Sequence, residues 1–213
     1  PGSPDGKRPG VFYVNTWDLA SRPTYFMQAI YLHEAVPGHH FQVSLAQEMS
    51  DLPRFRRHAE FTAYDEGWGL YAESLGRDLG LYTDPYSELG ALMTEIWRAV
   101  RLVVDSGLHS QGWTREQAID YMRANTAIGR ADIVAEVERY IARPGQALAY
   151  KVGEIRIRAL RDEAERALGS RFDVREFHTQ VLAGGSLPLP VLESHVRRWL
   201  EAKGVRQPPS AVP

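Results

Sequence analysis

The chain has 213 residues, 44% of them hydrophobic and 24% charged, with a formal net charge of −2 and no cysteine. That balance excludes a disordered chain and offers no basic excess for nucleic acid or an anionic membrane. It also removes disulfide scaffolds, thiolate metal sites and cysteine nucleophiles.

No apolar run approaches the ~20 residues that span a bilayer, so a soluble chain is expected, with the cytoplasm favoured and a secreted form as the alternative. The opening PGSPDGKRPG lacks an initiator Met and a leader, as after signal removal or in a piece of a longer chain. Residues 1–10 read as an extended arm or linker. Val11 to Val14 is a short β-prone run. From Thr24 the pattern is helical: Thr24 to about Val36, then Gly38 to about Met49 beyond Pro37. Pro53 suits the first turn of a helix reaching about Gly76. Pro85 opens another, with Leu89, Leu92, Met93, Ile96, Trp97, Val100 and Val103-Val104 at three-and-four spacing. Thr114 with Gln117 is a capping-box pair. Helices follow from near Arg130 to before Pro144, and from Gln146 to Leu168 before Gly169. Two more run from Asp173 to Leu182 and from Pro188 to about Lys203. The tail from Gln207 reads as frayed. The fold class expected is mainly α, with at most a short β segment near the N-terminus.

Chemistry concentrates in His33-Glu34-Ala35-Val36-Pro37-Gly38-His39-His40, where three of the seven histidines fall within eight residues. Imidazole and carboxylate together suit zinc. A zincin spaces its histidines His-Glu-x-x-His so that both share one helix face. Here the fourth position after His33 is proline. On an unbroken helix His39 lies about 120° off the His33 face, and His40 about 10.5 Å along the axis. Pro37 cannot donate to the His33 carbonyl, so the helix must kink or bulge. Gly38 supplies the backbone freedom. Absorbing two residues brings in His39; absorbing three brings in His40. A kinked core helix with solvated histidines is the plain alternative.

Asp65-Glu66-Gly67-Trp68-Gly69-Leu70-Tyr71-Ala72-Glu73 follows, with Glu66 27 residues after His39. That is roughly the separation of a glutamate ligand contributed by the next helix in a zincin. Glu73 lies two turns further on the same face. Without a metal this is an amphipathic helix with exposed acids. Arg101, Asp105 and His109 form a ladder at i, i+4 and i+8: either surface pairs, or groups behind the site with Asp105 orienting an imidazole. In Gln146-Ala147-Leu148-Ala149-Tyr150-Lys151, the Tyr150 hydroxyl suits a developing oxyanion, and Gln146 or Lys151 a substrate carbonyl or carboxylate. His178 reads as a satisfied helix histidine, and His58 and His195 as surface.

Together HEAVPGHHFQ, DEGWGLYAE, RLVVDSGLH with GWTREQAI, PGQALAYKVGEIRI, FDVREFH and GSLPLPVLE resemble, in order and over nearly the whole chain, the bacterial domain-of-unknown-function 885 family. That resemblance implies a mainly helical zincin-like metallopeptidase related to carboxypeptidase Taq and the oligopeptidases. Those relatives carry His-Glu-x-Gly-His. Aligned on Gly38-His39, this chain has Val36 and Pro37 extra, which favours His39 over His40. Members of the family are usually longer. The chain then resembles a C-terminal catalytic part, residues 1–10 being an internal linker and the missing N-terminal half the other wall of a cleft.

The expected function is zinc-dependent peptide hydrolysis. His33, His39 and Glu66 hold one zinc ion (His40 replacing His39 in the alternative), and Glu34 is the base. Tyr150 with His109 stabilises the oxyanion. Gln146, Lys151 and Arg101 bind substrate, and Glu73 and Asp105 orient the groups behind. The alternative is a non-enzymatic helical module: a degenerate half peptidase that binds a partner or forms a homo-oligomer.

Overall fold

A computed structural model describes residues 2–19 and 22–205. The helices are α1 (Met27–Glu34), α2 (His39–Glu48), α3 (Arg54–His58), α4 (Thr62–Asp78), α5 (Pro85–Ser110), α6 (Arg115–Asn125), α7 (Arg130–Ala142), α8 (Gln146–Leu168), α9 (Val174–Leu182) and α10 (Leu189–Ala202). The ends follow local chemistry. Asp84 accepts from the backbone N–H groups of Tyr86 and Ser87 ahead of α5, with Pro85 at its first position. Thr114 and Gln117 form the expected capping box on α6. Gly145, at φ 80°, starts α8.

Side-by-side packing of α4 and α8, running in the same direction from Glu66 beside Gln146 to Asp78 beside Arg161, organises the chain. The two backbones meet at Gly67 and Gly153, where a Cβ on Gly67 would lie 2.5 Å from the Gly153 Cα. No side chain fits there. On one side Tyr64, Trp68 and Tyr71 of α4 pack with Ile157 and Leu160 of α8 and with Phe177, Leu192 and Val196 of α9 and α10. On the other, α5, α6, α7 and the start of α8 enclose Val104, Ile119, Met122, Val137 and Ala147. Burial of these side chains, at roughly 1.5–3 kcal/mol each, leaves α4 with a polar strip between the two cores. α1 covers that strip.

Four expectations are corrected. Among the described residues there is no strand; Val11 to Val14 are exposed, and Phe12 rests edge-on against Tyr31 at 6.1 Å. Residues 2–10 are not extended: Ser3 N–H bonds the Arg8 carbonyl at 2.9 Å and folds the arm on itself. The helix expected from Pro53 to Gly76 breaks at 59–61, because the Phe61 N–H donates to Ser186 Oγ (2.9 Å) instead of to a helical carbonyl. The fourth concerns α5. Its apolar stripe is half outward, with Leu92 48% and Ile96 47% exposed, whereas Arg101 is 3% and Asp105 2% exposed. The inward face carries Thr94 and Arg98, which meet Glu73 of α4, and Arg101 and Asp105, which meet Glu136 and Tyr140 of α7 and the Gly145 N–H before α8. The reading of Arg101 and Asp105 as surface pairs fails; Val100 and Val104 are buried beside them as expected. The tail from Gln207 lies outside the described residues. No helix among them is long and apolar enough to cross a membrane.

Candidate metal centre

The segment after His33 is a break and a restart. α1 ends at Glu34, the Val36–Pro37 peptide is cis, and α2 begins at His39. The Phe41 N–H bonds the Ala35 carbonyl, six residues earlier, at 3.3 Å; the Gln42 N–H then reaches the Gly38 carbonyl, four earlier, at 3.0 Å. A helical hydrogen bond thus spans two residues more than its usual four. That is the two-residue slack that brings in His39. Trp68 Nε1 donates to the Pro37 carbonyl at 2.8 Å and pins the loop to α4.

The consequence is a three-residue cluster. His33, His39 and Glu66 each offer one ligand atom, all within 4.8 Å of one another. The imidazole rings meet edge to face with centroids 4.7 Å apart. Glu66 Oε2 lies 3.3 Å from His39 Nε2 and 3.5 Å from His33 Nε2. Beneath the rings is Gly69: a Cβ there would stand 2.7 Å from His33 Nε2 and 3.0 Å from His39 Cε1. His40 points elsewhere, its ring lying against Gly10 of the folded arm. Of the two candidates, the structure brings His39 to the cluster.

The groups behind the rings decide which lone pairs face inward. His33 Nδ1 donates to Glu73 Oε1 at 2.8 Å, and both side chains are buried. Glu73 also accepts from Thr94 Oγ1 (2.6 Å) and pairs with Arg98 (3.5 Å). Burial alone would raise the Glu73 pKa, but the Arg98 charge and the His33 and Thr94 hydrogen bonds outweigh it and lower it. An ionised Glu73 has only acceptors, so the His33 proton sits on Nδ1 and the Nε2 lone pair faces Glu66. His39 repeats this with Nδ1 on Gln42 Oε1 at 3.3 Å. Burial would likewise raise Glu66, yet the two imidazoles beside it hold it well below the ordinary carboxylate range, since any proton that either Nε2 takes up is shared with the carboxylate.

Three acceptor atoms therefore converge on one point, which calls for a proton or a cation between them. Around a tetrahedral zinc with bonds of ~2.1 Å, neighbouring ligand atoms stand ~3.4 Å apart. The observed 3.3 and 3.5 Å match that spacing. Two imidazoles and one carboxylate also suit the ion chemically.

Other expected residues divide. Tyr150 stacks on His33, centroids 5.9 Å apart, with Arg101 over its ring at 4.4 Å. Burial, then the Glu66 charge, raises its phenol pKa, so it remains a donor at neutral pH. Gln146 reaches Glu66 Oε1 at 3.2 Å. Glu34 is exposed at the end of α1, near enough for its charge to act on His39. His109 is not brought to the cluster; its Nε2 meets the Tyr140 carbonyl at 2.9 Å. Lys151 is held by Glu95 and Glu154, each at 3.0 Å, and is committed to ion pairs. Arg101 is committed too, to Tyr140 and Glu136 at 2.9 Å each. Asp105 orients no imidazole: its carboxylate accepts the Gly145 N–H at 3.1 Å and so fixes the start of α8. Gly67 faces α8, and it is Gly69 that lets the imidazoles approach.

Outside the cluster, His178 accepts from the Tyr71 hydroxyl at 2.8 Å, with burial and Arg161 lowering its pKa to about 4. His58 is exposed, while His195 is half-buried rather than at the surface. Sequence reading missed Thr94, Arg98, Gln42, Arg139 and Glu136. The signal for the first two was polar residues spaced four apart on an otherwise apolar helix.

Several comparisons bear on the chain. A crystal structure described as that of "the putative lipoprotein from Colwellia psychrerythraea" is similar at 47% identity and a TM-score of 0.92, covering 94% of this chain and 34% of that one. A "putative lipoprotein of unknown function" from Shewanella oneidensis is similar at 26% identity and a TM-score of 0.75, covering 83% of this chain and 32% of that one. The chain spans about a third of the length of these two proteins. No curated protein matches it. Residues 1–196 match the family described as "Bacterial protein of unknown function (DUF885)", and on that match the chain belongs to this bacterial family.

Proposed function

We propose that the chain is a zinc-dependent hydrolase of the zincin-like kind, acting on peptide bonds. The observation that carries the reading is the convergence of His33 Nε2, His39 Nε2 and Glu66 Oε2 at 3.3 and 3.5 Å, with the His33 proton held away by Glu73. A purely structural cluster has no need to aim three acceptors at one point. Zinc held there would lower the pKa of a coordinated water towards ~7 and polarise a substrate carbonyl.

The chain's own groups supply the rest. Glu34 follows the first ligand and stays solvent-facing; it takes the proton of the attacking water and returns it to the leaving amine. The Tyr150 hydroxyl, 3.4 Å from Gln146 Nε2 on the rim of the cluster, donates to the oxyanion that develops on the carbonyl. Glu73 keeps the His33 ring in one tautomer and one orientation. A peptide is the favoured substrate because an acid–base carboxylate and a phenol donor beside a Lewis acid are what amide hydrolysis requires. The description of similar proteins as lipoproteins favours the cell envelope over the cytoplasm as the place of action.

Metal analysis of the purified chain after exposure to zinc tests the reading. Near-stoichiometric zinc is expected, lost in His33→Ala, with peptide hydrolysis that stops on chelation. A wild-type chain that takes up no metal under zinc-replete conditions refutes it, and leaves a non-enzymatic helical module.

A further inference from the structure

We propose that Gln146 is a positioning residue that holds Glu66 to one ligand oxygen, and that Arg139 sets the direction of the Gln146 amide. The inference rests on the metal-site reading above. An amide has two ends that differ in chemistry but not in shape. Arg139 decides between them. Its guanidinium only donates, and its Nη1 lies 2.6 Å from Gln146 Oε1. The NH2 end of Gln146 is thereby turned to Glu66, where it donates to Oε1 at 3.2 Å. With Oε1 occupied, Oε2 is the Glu66 oxygen presented to the two imidazoles.

Arg139 is itself held. Its Nε and Nη2 donate to the two oxygens of Glu136 at 3.1 and 2.8 Å. Glu136 lies between Arg139 and Arg101, whose charges and hydrogen bonds overcome burial and pull its pKa down to about 2. Arg139 lies in the last turn of α7 and Gln146 is the first residue of α8, so one tight corner carries both. Asp105 secures that corner through the Gly145 N–H. Both ends of the Gln146 amide are in use, which removes the substrate-binding role expected from sequence. Glu66 is fixed from α7 and α8, as His33 is fixed from α4 and α5.

The test compares Gln146→Ala and Arg139→Met with wild type. Zinc affinity is read by titration against a competing chelator, the visible spectrum is read with cobalt(II) in place of zinc, and the melting temperature is read without metal. Loss of such an outer partner typically weakens metal binding 10- to 100-fold, and that loss is expected for Gln146→Ala. The cobalt bands should weaken as Glu66 becomes free to bind through both oxygens. The metal-free melting temperature should not move. Arg139→Met should change zinc affinity and spectrum in the same direction, and it carries the test should Gln146→Ala fail to fold. Wild-type zinc affinity and an unchanged cobalt spectrum in both variants would overturn the inference while leaving the metal site standing. A wild-type chain that binds no zinc would overturn the reading beneath it.

Discussion

Gly69→Ala separates the metal site from the helix that carries it. In an ordinary helix the change is favourable, by about 1 kcal/mol. At this position the new methyl carbon would stand 2.7 Å from His33 Cε1 and Nε2 and 3.0 Å from His39 Cε1. Carbon atoms rest at ~3.5 Å or more, so the His33 ring must retreat by roughly 0.8 Å. Metal sites tolerate about 0.2 Å in their bond lengths. His33 cannot swing clear without losing its 2.8 Å bond to Glu73. Overpacking of this kind costs about 1–3 kcal/mol. Without metal the His33 ring can yield by stretching its bond to Glu73, a cost that the ~1 kcal/mol helix gain partly offsets; with metal both rings are drawn back onto the methyl. The cost therefore falls on binding, and 1–3 kcal/mol corresponds to a roughly 5- to 150-fold weaker zinc Kd. Chelator competition measures the Kd and a thermal melt of the metal-free chain measures the helix. The expected result is zinc affinity down at least fivefold with the metal-free melting temperature within a few degrees of wild type. Unchanged zinc affinity would refute the argument that the glycine exists to admit the imidazoles.

Glu34→Gln should abolish hydrolysis and leave zinc bound, as shown by activity assay beside metal analysis; metal loss would make Glu34 a ligand instead. Glu66→Ala should lower zinc affinity far more than Glu73→Ala, because Glu66 faces both imidazoles while Glu73 reaches only the far nitrogen of His33. For Glu73→Ala a loss of about 10- to 100-fold is expected, and the reverse order in a chelator titration would exchange their roles. His178 gives a pH signature. Its folded pKa of about 4 lies below the ordinary imidazole value of 6.5, so the unfolded chain takes up a proton first as pH falls. Its contribution to stability is complete above about pH 6.5 and is lost as pH falls towards 4. Denaturant midpoints at pH 7 and pH 5 should therefore differ less in His178→Gln than in wild type; equal differences would remove His178 from the pH dependence.

Local chemistry carried much of this molecule in the sequence itself. Helix ends are written by residues that act on their own neighbours, such as Asp84-Pro85, Thr114 with Gln117, and Gly145. The search for a metal site could start from His33-Glu34 and Pro37-Gly38, because a proline four residues after a histidine must disturb the helix there. Two decisions needed the tertiary fold. A disturbance of two residues or of three was undecidable from the chain alone; the Trp68 bond to the Pro37 carbonyl and the packing of His40 against Gly10 settle it in space. The inward face of α5 was the second. An amphipathic pattern states that a helix has two faces, and the usual inference buries the apolar one. Here α5 packs on the polar strip of α4, where Glu73 requires Thr94 and Arg98 beside it. A buried carboxylate requires partners, so the polar face turned inward and left Leu92 and Ile96 in contact with solvent. That choice depends on what a helix packs against, and no single helix encodes its neighbour.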